Sequence, residues 1–137
     1  MERPDYYGNP AGITGEVEVV RAIYDAFADR DLERALEYVH PDCEIRLEGT
    51  MSRTGRVEPY VGHDGMREYF ADVGRVWEEL EIHADDFRVV PGSVIVMGHV
   101  TGRLDGISIR RAAVWTWRLR DDRAVYMRAS DMGELRG

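Results

Sequence analysis

The chain has no lysine: all 18 of its basic side chains, set against 26 acidic ones in 137 residues, are arginines. Schiff-base chemistry on a lysine amine is therefore excluded. Cysteine is nearly absent too. Cys43 stands alone, so no intrachain disulfide can form, and a reducing cytoplasm is the expected location. Long apolar runs are missing, and none approaches the roughly 20 residues of a membrane helix. Positive charge is short, with a net charge of −8. No broad basic surface is available for nucleic acid or an anionic membrane, and neither is expected as a partner. Metal-ligand spacings such as HxH and HExxH are also lacking, although His40, Asp42 and Glu44 crowd together. No metal and no cofactor is expected.

What is present reads as one folded domain. The hydrophobic fraction is 44% and the charged fraction 32%, a globular balance in a chain long enough to bury a real core. The opening "MERPDYYGNPAG" has no signal pattern, so residues 1–13 read as a flexible N-terminal arm and 14–137 as a single domain. Residues 14–29 predict a helix capped by Thr14, with Val17, Val20, Tyr24 and Phe27 on one face. A short helix after Asp31 buries Leu32, Leu36 and Val39, and "HP" at 40–41 stops it. In residues 43–48 Cys43, Ile45 and Leu47 alternate with Glu44, Arg46 and Glu48, a half-buried strand. Residues 49–62 read as a loop with a short strand near Tyr60. Met66, Phe70, Val73, Trp77 and Leu80 recur at helical spacing over 63–79. The remainder reads as antiparallel strands with turns at 91–93, at Asp105-Gly106 and at Asp121-Asp122. Helices followed by a run of strands make an α+β fold, with the helices on one face of a curved sheet.

Both faces of the long strands are apolar at their centres. The helices can cover only one, and a second copy of the chain is the simplest cover for the other. A homodimer through the convex face, built on Val94, Val96, Val100, Ala112 and Val114, is expected. The hairpin at Asp105-Gly106 leaves two registers open. A two-residue turn pairs Arg103 with Ser108 and sets His99 on the face opposite Trp115. A bulged or three-residue turn puts His99 and Trp115 on the same face.

The stretches "VRAIYDAFADRDLERALEYVHPDCEIRL", "YVGHDGMREYF", "HVTGRL" and "AAVWTWRLRDDRAVYMRASD" together resemble the nuclear-transport-factor-2-like superfamily, and within it the SnoaL-like branch. The resemblance spans residues 14–135 and rests on many weak positions rather than one sharp motif. It implies a cone, the cystatin-like α+β barrel: a curved antiparallel sheet wrapped around helices, with an apolar cavity at the wide end. Relatives of this shape include ketosteroid isomerases, whose helix tyrosine falls near Ile23, one residue from Tyr24. Their two aspartates fall on Leu47 and Trp115. The Asp-Arg-Asp set of limonene epoxide hydrolase falls on Thr101, His99 and Ala129, and the acid/base aspartate of the SnoaL-type cyclases falls near Trp115. None of those catalytic sets is present. In every such comparison the odd residues of both strands face the cavity, which favours the bulged register.

With that register, His99 is the candidate proton-handling group, since imidazole titrates near neutrality, and Asp131 is its candidate partner. Tyr24, Phe27, Tyr60, His63, Met66, Phe70, Trp77, Met97, Thr101 and Trp115 are the candidate ligand-binding residues, with Trp117 deeper and core-like. Arg103 and Arg111 are ordinary strand-end cations that could hold an anionic substituent. Cys43 reads as a small buried hydrophobe. Two functions follow. One is a cyclase, isomerase or hydrolase acting by acid–base chemistry on an apolar cyclic compound. The other is a non-catalytic hydrophobic-ligand-binding or dimerisation module of the same fold.

Overall fold

The computed structural model describes residues 11–47, 51 and 54–134, with side chains described for 15–47, 51 and 54–130. The proposed arm lies almost wholly outside the described residues. Among the described residues the elements run in order α1 (Ala11–Ala28), α2 (Leu32–Leu36), β1 (Val39–Leu47), β2 (Tyr60–Val61), α3 (Gly62–Val76), β3 (Glu79–Val90), β4 (Ser93–Leu104), β5 (Ile107–Arg120) and β6 (Arg123–Glu134). The strands form one sheet in the order β2-β1-β6-β5-β4-β3. Four pairings are antiparallel; β1 and β6, far apart in sequence, run parallel.

The helix boundaries follow local chemistry. Helix α1 begins at Ala11, so Thr14 lies inside it rather than capping it. Its buried face carries Val17, Val20, Ile23 and Phe27. After it the chain reverses at Arg30 (φ 53°), whose guanidinium donates to the carbonyls of Phe27 at 2.8 Å and Leu80 at 2.5 Å. This ties the end of α1 to the start of β3. Asp31 caps α2, accepting from the Arg34 amide at 3.2 Å. Helix α2 ends at Leu36, and Val39, His40 and Pro41 belong to β1 instead. Within β1 the alternation is as read: Cys43, Ile45 and Leu47 are buried. Helix α3 stops at Val76, and Trp77 leaves it in extended conformation (φ −104°, ψ 131°).

The hairpin register is the chief departure from expectation. Asp105 (φ 51°) and Gly106 (φ 77°) both take left-handed backbone, as a two-residue turn matched to strand twist requires. Leu104 pairs with Ile107, Arg103 with Ser108 and His99 with Ala112, with no bulge anywhere in β4–β5. Residues directly opposite on paired strands share a face. Trp115 therefore faces with Val96, and Trp117 with Val94. His99, Met97 and Thr101 lie on the other face, with Ala112, Val114 and Arg110. The local turn chemistry sets the register, and the bulged alternative is overturned.

The core fills the concave side of the sheet. Val94 and Val96 are fully buried there, with Ile45, Leu47, Ala113, Trp115, Trp117 and Met127 around them. Helices α1 and α3 close it with Val20, Ile23, Phe27, Met66, Tyr69 and Val73. The residue set proposed for a dimer face is thereby split. Val94, Val96 and Val100 point to the core side, while Ala112 and Val114 are on the convex side beside Ile95 and Met97.

Candidate functional site

Two small cavities lie end to end between the concave sheet and the helices. The outer one, about 90 Å³, is lined by Leu47, Tyr69, Trp77, Leu80, Ile82, Val100, Ile109, Arg111, Ala112, Ala113, Trp115, Ala129 and Ser130. The inner one, about 40 Å³, is lined by Ile23, Tyr24, Phe27, Met66, Phe70, Trp117 and Met127 among others. Leu47, Tyr69, Ile82 and Trp115 border both.

Secondary structure positions each wall. Tyr69 sits on the buried face of α3, three residues after Met66 and one turn before Val73. Its ring stacks on Phe27 of α1 (centroids 5.9 Å apart) and meets Tyr60 edge-on at 5.6 Å. Trp115 stands mid-β5 against Tyr24, edge to face at 5.7 Å. Trp117, one step along the same face, also meets Tyr24, and its indole Nε1–H donates to the Tyr24 hydroxyl at 3.1 Å. Trp77 reaches the outer cavity because Gly102 on β4 has no side chain. A Cβ there would stand 3.0 Å from the Trp77 ring and 2.6 Å from the Glu79 carbonyl.

The polar content of these walls is small and consists mostly of donors. Burial pushes the hydroxyls of Tyr24 and Tyr69 well above the usual tyrosine range. The Tyr24 hydroxyl is engaged by Trp117. Tyr69 and Trp115 are 6% and 2% exposed. Arg111 brings the one formal charge found among the described lining residues. No histidine or carboxylate lines either cavity among them.

Tyr24, Phe27, Met66, Phe70, Trp77 and Trp115 are thus brought together as the sequence suggested. Thr101 meets Tyr24 and Phe27 only in a wider, open groove of about 1010 Å³ that His83 also lines, and the remaining candidates line neither cavity. His99 is on the convex face because of the two-residue turn. Its Nδ1 lies 3.0 Å from Asp85 Oδ2, and its ring stacks on His83 at 4.3 Å. Thr101 is beside them, 3.2 Å from His83 Nε2, and Met97 is exposed on the same face. Tyr60 is fully buried but turned away from the cavities, and its hydroxyl donates to Asp72 Oδ2 at 2.7 Å. His63 anchors α3 to β1, its Nε2 lying 2.7 Å from the Val39 carbonyl oxygen. Asp131 pairs in backbone register with Ala113, but its side chain is outside the described residues. Cys43 is buried, its thiol pushed up to about 12 by desolvation.

Sequence reasoning passed over Tyr69, Leu47, Ile82 and Ser130. Tyr69 was findable: it repeats the Met66–Val73 helical spacing as well as Phe70 does. Arg111, a strand-end cation that the sequence allows to hold an anionic substituent, lines the outer cavity. Among the described residues no three His, Cys, Asp or Glu side chains gather as a metal site. Nor is any described helix long and apolar enough to cross a membrane.

The comparisons agree with this geometry. TerC, in a structure co-crystallised with polyporic acid, is 29% identical, with a TM-score of 0.78 over 85% of this chain and 91% of its own. A nuclear-transport-factor-2-like protein of unknown function from Burkholderia pseudomallei is 26% identical, with a TM-score of 0.78 over 85% and 90%. A protein named as a SnoaL-like polyketide cyclase, from Shewanella denitrificans, shares the fold at 14% identity, with a TM-score of 0.68 over 85% and 89%. No curated protein matches the chain significantly. The model of the SnoaL-like domain matches residues 20–127, which takes in every element from the middle of α1 to the start of β6. With its helices closing the concave side of a curved six-stranded sheet, the chain belongs to the SnoaL-like branch of the nuclear-transport-factor-2-like superfamily.

Proposed function

We propose that this protein binds an apolar cyclic small molecule in the concave pocket, and that binding rather than acid–base turnover is its primary activity. The observation that carries this is the pair of contiguous cavities walled by Tyr24, Phe27, Tyr69, Trp77 and Trp115. Ligand sites are concave and mostly apolar, with a few polar groups that fix orientation. The volumes set the scale. A cavity of about 150 Å³ accommodates benzene, more than the about 90 and 40 Å³ present, so a ring enters by parting the Trp115 and Tyr69 side chains that border both, with the remainder of a larger ligand projecting past Trp77 and Arg111. TerC, a relative, was co-crystallised with polyporic acid, which supports an organic acid as the ligand class.

The acid–base reading has less support. His99 is on the other side of the sheet, and no neutral-range titrating group lines the cavities among the described residues. That reading depends on Asp131, through the pairing of its backbone with concave Ala113. Polyporic acid is the probe for the test. Titration should change tryptophan emission saturably, and Ala129→Leu, which fills the mouth, should weaken binding at least fivefold. His99→Ala should leave binding unchanged. Loss of binding in His99→Ala with none in Ala129→Leu would move the site to the convex face and end this reading.

A further inference from the structure

The two cavities differ in charge. Among the described residues the inner one has no charged side chain in its walls, and the outer one has Arg111. Strand parity puts that residue there. Arg111 pairs with Val100 across β4–β5 and shares its face with Ala113 and Trp115, two and four positions along the strand. Arg110, its neighbour in sequence, pairs with Thr101 and belongs to the convex face. No carboxylate lines either cavity among the described residues. A guanidinium stays protonated at any working pH, so Arg111 brings a fixed positive charge and a planar fork of donors to an otherwise apolar wall.

We propose that Arg111 determines the specificity of the pocket: its guanidinium binds the acidic group of a ring compound whose apolar body lies inward, against Leu47, Ile82 and Trp115, which border both cavities. The site therefore takes monoanions over neutral molecules of the same shape. The planar fork of an arginine matches the two oxygens of a carboxylate. The apolar inner walls make burial of the acid costly, so the acid is held at the outer end, where Arg111 is half-buried and water can complete its solvation. A cationic ring compound is disfavoured at the same point. The net charge of −8 repels anions at long range, so a preference for the acid has to come from a local contact. Asp131 and Glu134 of β6 pair in backbone register with Ala113 and Arg111, and they are the protein's own competitors for that contact.

This inference rests on the concave pocket being a small-molecule site, and the test separates the two claims. The probes are trans-cinnamate and trans-cinnamamide, which have the same shape and differ in O⁻ against NH₂. Near pH 7.5 the acid is ionised, as carboxyls generally are. Both are titrated by calorimetry, at low salt and at about 0.5 M salt, into the wild-type protein, Arg111→Gln and Arg110→Gln. Wild type should prefer cinnamate by about fivefold at low salt, the scale of a partly exposed charge pair. The preference should shrink at high salt. Arg111→Gln should remove it while leaving cinnamamide affinity within about twofold, and Arg110→Gln should keep it. Equal affinity of the two probes for wild type overturns the proposal and leaves the apolar pocket standing. A preference that survives Arg111→Gln also overturns it, and its loss in Arg110→Gln would move the anion to the open groove lined by Arg30 and Arg110. Failure of both probes to bind overturns the pocket itself, and the role of Arg111 with it. The wild-type comparison needs no mutation, so a misfolded variant cannot obscure the result.

Discussion

Truncating Trp115 to alanine probes the packing and the pocket together. The side chain is 2% exposed, meets Tyr24 at 5.7 Å, and forms part of the boundary between the two cavities. Trp→Ala changes in a core cost about 3–5 kcal/mol. Unfolding entropy of about 2.1 cal/mol/K per residue gives about 0.3 kcal/mol/K for a chain of 137 residues. Tm should therefore fall by about 10–17 °C. The vacated space would merge the two cavities, so a flat apolar molecule should refill it. Indole at ten times its Kd would restore about 1.4 kcal/mol by mass action, or about 5 °C. The assay is differential scanning calorimetry of Trp115→Ala with and without indole, beside the wild type. A fall under about 5 °C would mean that Trp115 is not the packed divider described. A full fall with no rescue by indole would mean that the site collapses rather than opens.

Four further outcomes are expected. Tyr60→Phe removes the 2.7 Å bond to the buried Asp72 carboxylate and should cost about 1.5–3 kcal/mol in urea unfolding, with no change in ligand affinity. Gly102→Ala sets a Cβ against the Glu79 carbonyl and the Trp77 ring, so it should lower Tm and shift Trp77 emission. Cys43 should resist thiol reagents at pH 8 in the folded protein and react at once in denaturant, since its thiol is pushed up to about 12. The same shift makes alkali destabilising. The unfolded thiol deprotonates near 9.0 and the folded one near 12, so the unfolded state holds fewer protons across that window. Stability should fall as pH rises from about 9, by up to about 1.4 kcal/mol per unit for this group, with Tyr24, Tyr60 and Tyr69 adding to the loss above 10. Cys43→Ala should flatten the curve between pH 9 and 10.

Periodicity made much of the fold legible. Val17, Val20 and Phe27 fell on one helix face, and Cys43, Ile45 and Leu47 on one strand face, because each face has a single buried side. The parallel pairing of β1 with β6 was not legible, since nothing local specifies a contact between strands some eighty residues apart. The site divided along the same line. Tyr24, Phe27, Met66, Phe70 and Trp115 line the cavities, as aromatic and Met side chains at helical or strand spacing face the core. His99, Met97 and Thr101 lie on the convex face because the two-residue turn, not the register the resemblance implies, sets the pairing of β4 with β5. Asp-Gly at 105–106 carried the correct register all along, through its two left-handed residues. A one-residue shift in register moves a whole strand face, so one hairpin decided the position of three candidates. The donor character of the pocket could not be read from sequence. Nothing in the sequence shows that Trp117 donates its indole N–H to Tyr24 on a helix more than ninety residues away.

The central claim is that ligand binds on the concave side at Trp115 and Tyr69, away from His99. Two-dimensional ¹⁵N–¹H spectra of the three indole groups, recorded during titration with acetophenone, test it directly. The Trp115 Nε1–H resonance should shift and saturate as the ligand packs beside its ring. The Trp117 indole, already bonded to Tyr24, should move little, and the His99 ring signals should stay in place. Saturable shifts at His99 with a stationary Trp115 indole would contradict the account.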